Sequence, residues 1–365
     1  MERRSFLRTA GLGAAGVAAA PFVNTASAQE TITWNMVTSW PKNFPALGTG
    51  ANDLAARIER MSGGRMKVRV HGAGEMVPPM EVFDAVSQGT AEMGHSASYY
   101  WRGKVAASQF FTAVPFGMTT TETNAWLYYG GGQELWDELY ADHNLKPFAV
   151  GNTGTQMAGW FKKEINSLED MQGLKLRLPG LAGEAMAGIG VTTLTIPGSE
   201  IFTSLQTGVL DAADWVGPYN DLAFGLHQVA DYYYTSAWNE PSAVLEGTVN
   251  LDAWNALPDD LKAVVNEAAK ASNLAMISEF AFRNAEALDA LVNEHGVKLR
   301  SFPEEVLAAL HDSSQQVLQK QVDNDEASAR IYESYRNFQS QVRKFSDVGE
   351  FAYLKARDSV LGQGE

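Results

Sequence analysis

Two short segments place a carboxylate among small and aromatic residues. In Asp214-Trp215-Val216-Gly217-Pro218-Tyr219 the acid precedes a tight turn, and Trp238-Asn239-Glu240-Pro241 presents a second acid in a similar setting. A carboxylate removed from water needs a partner, and a hard cation is one that two such groups can share. Ion pairs with Lys or Arg, or simple exposure, are the competing readings. Arg177 closes the run Gly173-Leu-Lys-Leu-Arg-Leu-Pro179, where strand alternation sends Lys175 and Arg177 to one face. An arginine ending a strand above a cleft can grip a carboxylate through two parallel hydrogen bonds. Spacing alone equally allows an ordinary surface arginine.

Two further segments carry polar groups that could orient a ligand. Gly151-Asn152-Thr153-Gly154-Thr155-Gln156 leads through Met157 and Ala158 into Gly159-Trp160. Its amides could meet a ligand or merely close turns. Tyr99-Tyr100-Trp101 follows a strand-like stretch ending near Ala97, so its rings either line a pocket or pack in the core. Other chemistries lack their residues. Gly130-Gly131-Gly132 has neither the spacing of a dinucleotide loop nor the Lys-Ser/Thr of a phosphate loop, and reads as a turn in a helical hairpin. Six histidines (His71, His95, His143, His227, His295 and His311) stand singly, without a short-range pair. There is no cysteine, hence no thiolate nucleophile or zinc–thiolate site, and no GxSxG elbow.

The elements that must position these groups alternate. Thr31–Val37, Lys67–His71 and Ala91–Ala97 read as strands around a helical Ala46–Met61, and Gly72–Met76 as a turn before a helical Pro79–Gln88. Strand-like runs resume at Phe148–Gly151, Gly159–Lys162, Leu174–Leu178, Val191–Ile196 and Ala212–Val216. Pro258-Asp259-Asp260 opens a long helix to about Glu294, Ser301-Phe-Pro-Glu304 reads as a capping box, and Val306 to about Lys355 is helical in character. The pattern predicts an α/β protein of two lobes with a helical tail. The tail stripe Ile331, Tyr332, Tyr335, Phe338 and Val342 has helical spacing, suited to core packing or to a homodimer contact.

Composition limits the partners. The chain has 365 residues and a net charge of −15; residues 1–28 carry +2, which leaves −17 on the remainder. Such acidity opposes nucleic acid and anionic membranes, so an anionic ligand needs a locally positive pocket. The N-terminus predicts export: the twin-arginine pattern Arg3-Arg4-Ser5-Phe6-Leu7, an Ala/Gly-rich run from Ala10 to Val23, and the small-x-small site Ala26-Ser27-Ala28. Mature protein would begin at Gln29 in the periplasm.

Several long segments together resemble the solute-binding proteins of tripartite ATP-independent periplasmic (TRAP) transporters, in particular the branch that binds α-keto acids with a metal cation. They are Gly72–Met76, Tyr128–Gly132, Gly151–Ile165, Met171–Arg177, Asp214–Tyr219 and Tyr232–Trp238. The resemblance runs from about Thr31 onward. It implies a periplasmic-binding-protein type II-like fold with a long connecting helix. Lobe I would take residues 31–152 and 242–282, lobe II residues 153–241 and 283–321, and a tail residues 322–365. It implies that Arg177 binds the ligand carboxylate and that Asn152, Gln156, Tyr99, Tyr100 and Trp215 surround the ligand. Gln156, Asp214, Glu240 and the Trp215 carbonyl would hold sodium or calcium. The expected activity is non-catalytic capture of a small monocarboxylate such as pyruvate and its delivery to a membrane permease. A C4-dicarboxylate, a sugar acid or a hydroxy acid such as lactate is the rival ligand, and a metal-assisted lyase or hydrolase the rival class. Two departures stand out: the branch often has Glu where Asp214 stands, and Trp101 replaces an expected third tyrosine, removing a hydroxyl from the pocket.

Overall fold

The computed structural model describes residues 31–235 and 237–362; the leader predicted at residues 1–28 lies outside them. The chain builds two sheets and crosses between them. The first has strand order β2-β1-β3-β10-β4, from β1 (Ile32–Thr38), β2 (Met66–His71), β3 (Met93–Ser96), β4 (Leu145–Asn152) and β10 (Val244–Asn250). β1, β2 and β3 are parallel, while β10 runs antiparallel to both β3 and β4. The second sheet has order β11-β9-β5-β8-β6-β7, from β5 (Gly159–Phe161), β6 (Lys175–Arg177), β7 (Thr192–Leu194), β8 (Ala212–Ala213), β9 (Tyr232–Tyr234) and β11 (Lys298–Arg300). The result is a two-lobed α/β fold. The outgoing and returning crossings are paired where the chain changes lobes, Asn152 opposite Val244.

The helix Leu47–Met61 forms because Leu47, Ala51, Leu54, Ala55 and Ile58 recur at three- and four-residue steps and bury one face. The helix Asp259–Asp289 begins after Pro258 with Asp259 and Asp260 in its first turn, where the helix dipole favours acid. It packs both on β4 and on the short helix Pro218–Ala223 that follows the second sheet's β8, so it ties the lobes together. Its approach depends on two missing side chains. A Cβ on Gly50 or Gly151 would stand 2.4 Å from an atom of Met276. The hairpin at Gly130–Gly132 joins helices Thr120–Tyr129 and Gly132–Ala141, with Gly131 in the left-handed region at φ +84.

Some expectations are corrected. The capping box at Ser301–Glu304 is not made: Pro303, which has no side-chain acceptor, occupies the N-cap of helix Glu304–Asn324, and the Ser301 hydroxyl bonds that of Thr235. The strand expected over Ala212–Val216 is formed only at Ala212–Ala213; beyond it the Asp214 amide donates to the Arg177 carbonyl at 2.9 Å, and the Asp214 carbonyl accepts from the Arg177 side chain. Lys175 and Arg177 do not share an environment. Lys175 is exposed near the start of β6, whereas Arg177 is buried where the strand ends between the lobes. His227 and His295, far apart in sequence, stack at 4.2 Å. In the tail, helix Glu326–Ser346 packs onto its own chain: Ile331 and Tyr335 are buried, Tyr332 stacks on Phe110 at 5.5 Å, and the Met118 amide donates to the Tyr335 hydroxyl at 2.7 Å. The final helix Glu350–Leu361 buries none of its residues. No described helix is long and apolar enough to cross a membrane.

Candidate functional site

The carboxyl ends of the strands converge between the lobes, the usual ligand position in open α/β sheets. Trp40 follows β1, Tyr99 and Tyr100 follow β3, Gln156 follows β4, Arg177 ends β6, Asp214 and Trp215 follow β8, and Glu240 follows β9. A narrow cavity there is lined by Tyr99, Tyr100, Gln156 and Trp215, with Trp40, Leu47, Thr153, Val216 and Leu245 completing its walls. Arg177, Asp214 and Glu240 are 0, 1 and 2 % exposed. The lobes meet across it through stacked Phe44 and Phe224 at 4.2 Å, an Asn220 amide donating to the Pro45 carbonyl at 3.0 Å, and an Arg102–Glu184 ion pair.

Arg177 is the hub. Its Nη1 donates to the Asp214 carbonyl at 2.7 Å, its Nη2 to the Tyr100 hydroxyl at 3.2 Å, and its Nε to the Ile196 carbonyl at 3.4 Å. The guanidinium lies over the Trp215 ring, 5.2 Å from its centroid. A guanidinium has five N–H donors, so one N–H on each terminal nitrogen remains for a carboxylate. Tyr100 therefore links Arg177 to the other lobe, and its own ring meets Tyr99 edge-on at 4.8 Å.

The acids are under-satisfied. Asp214 Oδ1 accepts from the Asn239 amide at 3.3 Å, but its Oδ2 has only a loose ion pair with Arg177 at 3.7 Å and no hydrogen bond. Glu240 Oε2 and Gln156 Oε1 are also buried without a hydrogen-bond partner. Burial raises the Asp214 pKa to about 7, against the pull of Arg177. Burial, and then the neighbouring Asp214 charge, push Glu240 well above the usual carboxylate range. One guanidinium faces two carboxylates, so a bound monocarboxylate adds buried negative charge that either protonation of the acids or an entering cation must offset.

Buried orphan oxygens of two carboxylates and an amide are hard donors that fit sodium or calcium and not a thiophilic metal. No cluster of three or more His, Cys, Asp or Glu side chains that could hold a metal occurs among the described residues. The set thus depends on Gln156 and on backbone carbonyls.

Two residues named in the sequence are held by local contacts. Asn152 has its amide committed to the crossing segments: Oδ1 accepts from Gly154 N at 2.8 Å and Thr120 Oγ1 at 3.3 Å, and Nδ2 donates to Ser242 Oγ at 2.9 Å. It braces the crossing and, like Arg177, Asp214 and Glu240, lies outside the immediate cavity wall. Trp101 removes no hydroxyl from the pocket, because its indole is buried on the far side and donates to Glu246. Sequence reasoning missed Trp40, Leu47, Thr153, Val216 and Leu245. Trp40 was within reach of the strand-end rule: it lies two residues past the end of β1, and its indole donates to His95 Nδ1 at 2.8 Å.

Two α/β lobes closed over a buried guanidinium and an oxygen-rich cluster define a two-lobed solute-binding protein. The family model for bacterial extracellular solute-binding protein family 7 matches residues 36–325, and the chain belongs to that family, the solute-binding component of TRAP transporters in the periplasm. The chain is similar to the monocarboxylate 2-oxoacid-binding periplasmic protein of Nostoc sp., with 41% identity over 97% of this chain and 98% of that one. A TRAP solute-binding protein from Pseudoalteromonas atlantica, solved with bound sodium and pyruvate, is 42% identical with a TM-score of 0.87, covering 89% of this chain and 99% of that one. A third, from Bordetella bronchiseptica, is a mixed-occupancy dimer with copurified calcium and picolinate in one site and the other apo. It is 35% identical with a TM-score of 0.90, covering 92% of this chain and 100% of that one.

Proposed function

We propose that this chain captures a small 2-oxo monocarboxylate, with pyruvate as the simplest case, together with sodium or calcium, and releases it unchanged to its permease. The observation that carries the reading is the pairing of complementary vacancies in hydrogen bonding. Arg177 keeps two N–H groups free, while Gln156, Asp214 and Glu240 keep buried oxygens free; Gln156, Tyr100 and Trp215 line the cavity, and Arg177 touches both Tyr100 and Trp215. A 2-oxo acid offers a carboxylate to Arg177 and, with the adjacent carbonyl oxygen, chelates a hard cation in a five-membered ring. Gln156, Asp214, Glu240 and the Trp215 carbonyl would hold that cation, and Tyr99 and Tyr100 would border the ligand. The remaining walls (Trp40, Leu47, Val216 and Leu245) are largely apolar and bring no second cation, which favours a monocarboxylate over a C4-dicarboxylate or sugar acid. Calorimetric titration with pyruvate in calcium or sodium, followed by recovery of the pyruvate, tests capture. Stoichiometric binding of intact ligand is expected, whereas turnover would support the lyase or hydrolase reading and lactate outcompeting pyruvate the hydroxy-acid reading.

The remaining assignments rest on the same reading. Residues 1–28 are proposed as a twin-arginine signal, and the lobe limits as 31–152 with 242–282 and 153–241 with 283–321. Residues 322–365 are proposed as a dimerisation element, with the last helix as its working part. Phe345, Val348, Phe351, Tyr353, Val360 and Leu361 are all exposed, and a twelve-residue helix is marginal in water without a surface to pack on. Because Ile331 and Tyr335 belong to the chain's own core, a deletion must spare them. A chain ending at Ser346 is expected to melt within about 3 °C of the full-length protein and to shift from dimer to monomer in light scattering. A monomeric full-length protein would remove the proposal.

A further inference from the structure

We infer that Glu246, which lies outside the cavity, is a positioning residue for the tyrosine pair that borders it. The inference rests on the reading of that cavity as the ligand site. Glu246 sits on β10, is fully buried, and pairs with no cation among the described residues. Three neutral donors hold it instead. Its Oε2 accepts from Ser98 Oγ at 2.6 Å and from the Tyr140 hydroxyl at 2.8 Å, and its Oε1 accepts from the Trp101 indole.

The placement of those donors matters more than their number. Ser98 and Trp101 are the first and last residues of a single 3-10 turn, and the two residues between them are Tyr99 and Tyr100. Glu246 therefore pins both ends of the turn that presents the tyrosines. The strand is built for this double duty, since its register shifts between Leu245 and Glu246, and such irregularities re-aim side chains. Leu245 lines the cavity while Glu246 holds the turn behind it. The effect reaches Arg177 because the Tyr100 hydroxyl accepts the Arg177 Nη2 proton across the cleft. Trp101 also finds its explanation here: the indole N–H reaches Glu246 from a fully buried site.

A double-mutant cycle read by calorimetry, with pyruvate and calcium as the probe, tests this. Glu246→Gln keeps the shape but turns one acceptor into a donor facing other donors. It is expected to weaken pyruvate about 10-fold in the native background and less than about twofold in a Tyr100→Phe background, where the hydroxyl it sets is already gone. Equal losses in both backgrounds, or none in the native one, would overturn the inference. Should Glu246→Gln fail to fold, Trp101→Phe removes one donor and takes its place in the cycle. A second readout needs no ligand. With 3-fluorotyrosine at position 100, the fluorine resonance is expected to move in the Glu246→Gln protein, and an unmoved resonance would equally overturn it. If the unaltered protein fails to bind pyruvate, the functional reading falls while the fluorine signal still decides the role of Glu246.

Discussion

Arg177→Lys is expected to weaken pyruvate binding about 100-fold or more, near 3 kcal/mol. The charge survives this substitution; the fork does not. Arg177 holds the Asp214 carbonyl, the Ile196 carbonyl and Tyr100 simultaneously and still has one N–H on each terminal nitrogen. A lysine ammonium has three donors on one atom and cannot brace two lobes and grip a carboxylate in a plane. Stacking on Trp215 is also lost. The Asp214 carbonyl would then lose its donor in a buried setting, which disturbs the neighbouring cation ligands. Calorimetry on the folded variant measures the loss; affinity within about threefold of the native value would mean that a point charge is enough and that the fork has no special part.

The second large effect has an unusual sign. Glu240→Gln is expected to make the ligand-free protein more stable, by about 1 kcal/mol, while abolishing the stabilisation that pyruvate and calcium confer together. Glu240 Oε2 is buried with no hydrogen-bond partner. Burial and the nearby Asp214 charge both disfavour its ionised form, so a neutral amide of the same shape relieves an electrostatic cost. The same charge is what a cation needs. Most substitutions of a buried residue lower stability, so a rise in the ligand-free melting temperature is a discriminating outcome. Melts with and without pyruvate and calcium measure both halves. A variant less stable than native that keeps a native-sized ligand shift would show that Glu240 holds no cation.

Much of this site was legible because polar residues in apolar surroundings are expensive and therefore conspicuous. Arg177, Asp214 and Glu240 stand out on that ground and Gln156 through the family resemblance; all four are buried, Gln156 lines the cavity, and Arg177 donates to the Asp214 carbonyl and to Tyr100. The apolar walls were not legible. Leu47, Val216 and Leu245 are chemically indistinguishable from core residues, and only the meeting of the lobes makes them a lining. β10 escaped for a related reason. Its sequence Val-Leu-Glu-Gly-Thr-Val-Asn interrupts the apolar run with a glutamate and a glycine, and the glutamate is tolerated only because three donors, two from the Ser98–Trp101 turn and one from Tyr140, surround it. Alternation could not show that Lys175 is exposed and Arg177 buried, because the three-residue strand runs from solvent to cleft. The bracing role of Asn152 was not legible because its partners, Thr120 and Ser242, lie far away in sequence. Strand-and-helix order was easier, since periodicity is local.

In the proposed function the anion and the cation enter the same buried site and need each other. Titrating pyruvate into protein stripped of metal in a sodium-free buffer, and again after calcium or sodium is restored, measures that coupling directly. Affinity should fall at least about 30-fold on stripping and return with either ion, and by linkage pyruvate should tighten the ion by the same factor. Identical affinities in the stripped and restored protein would contradict it, leaving Asp214, Glu240 and Gln156 with no shared task.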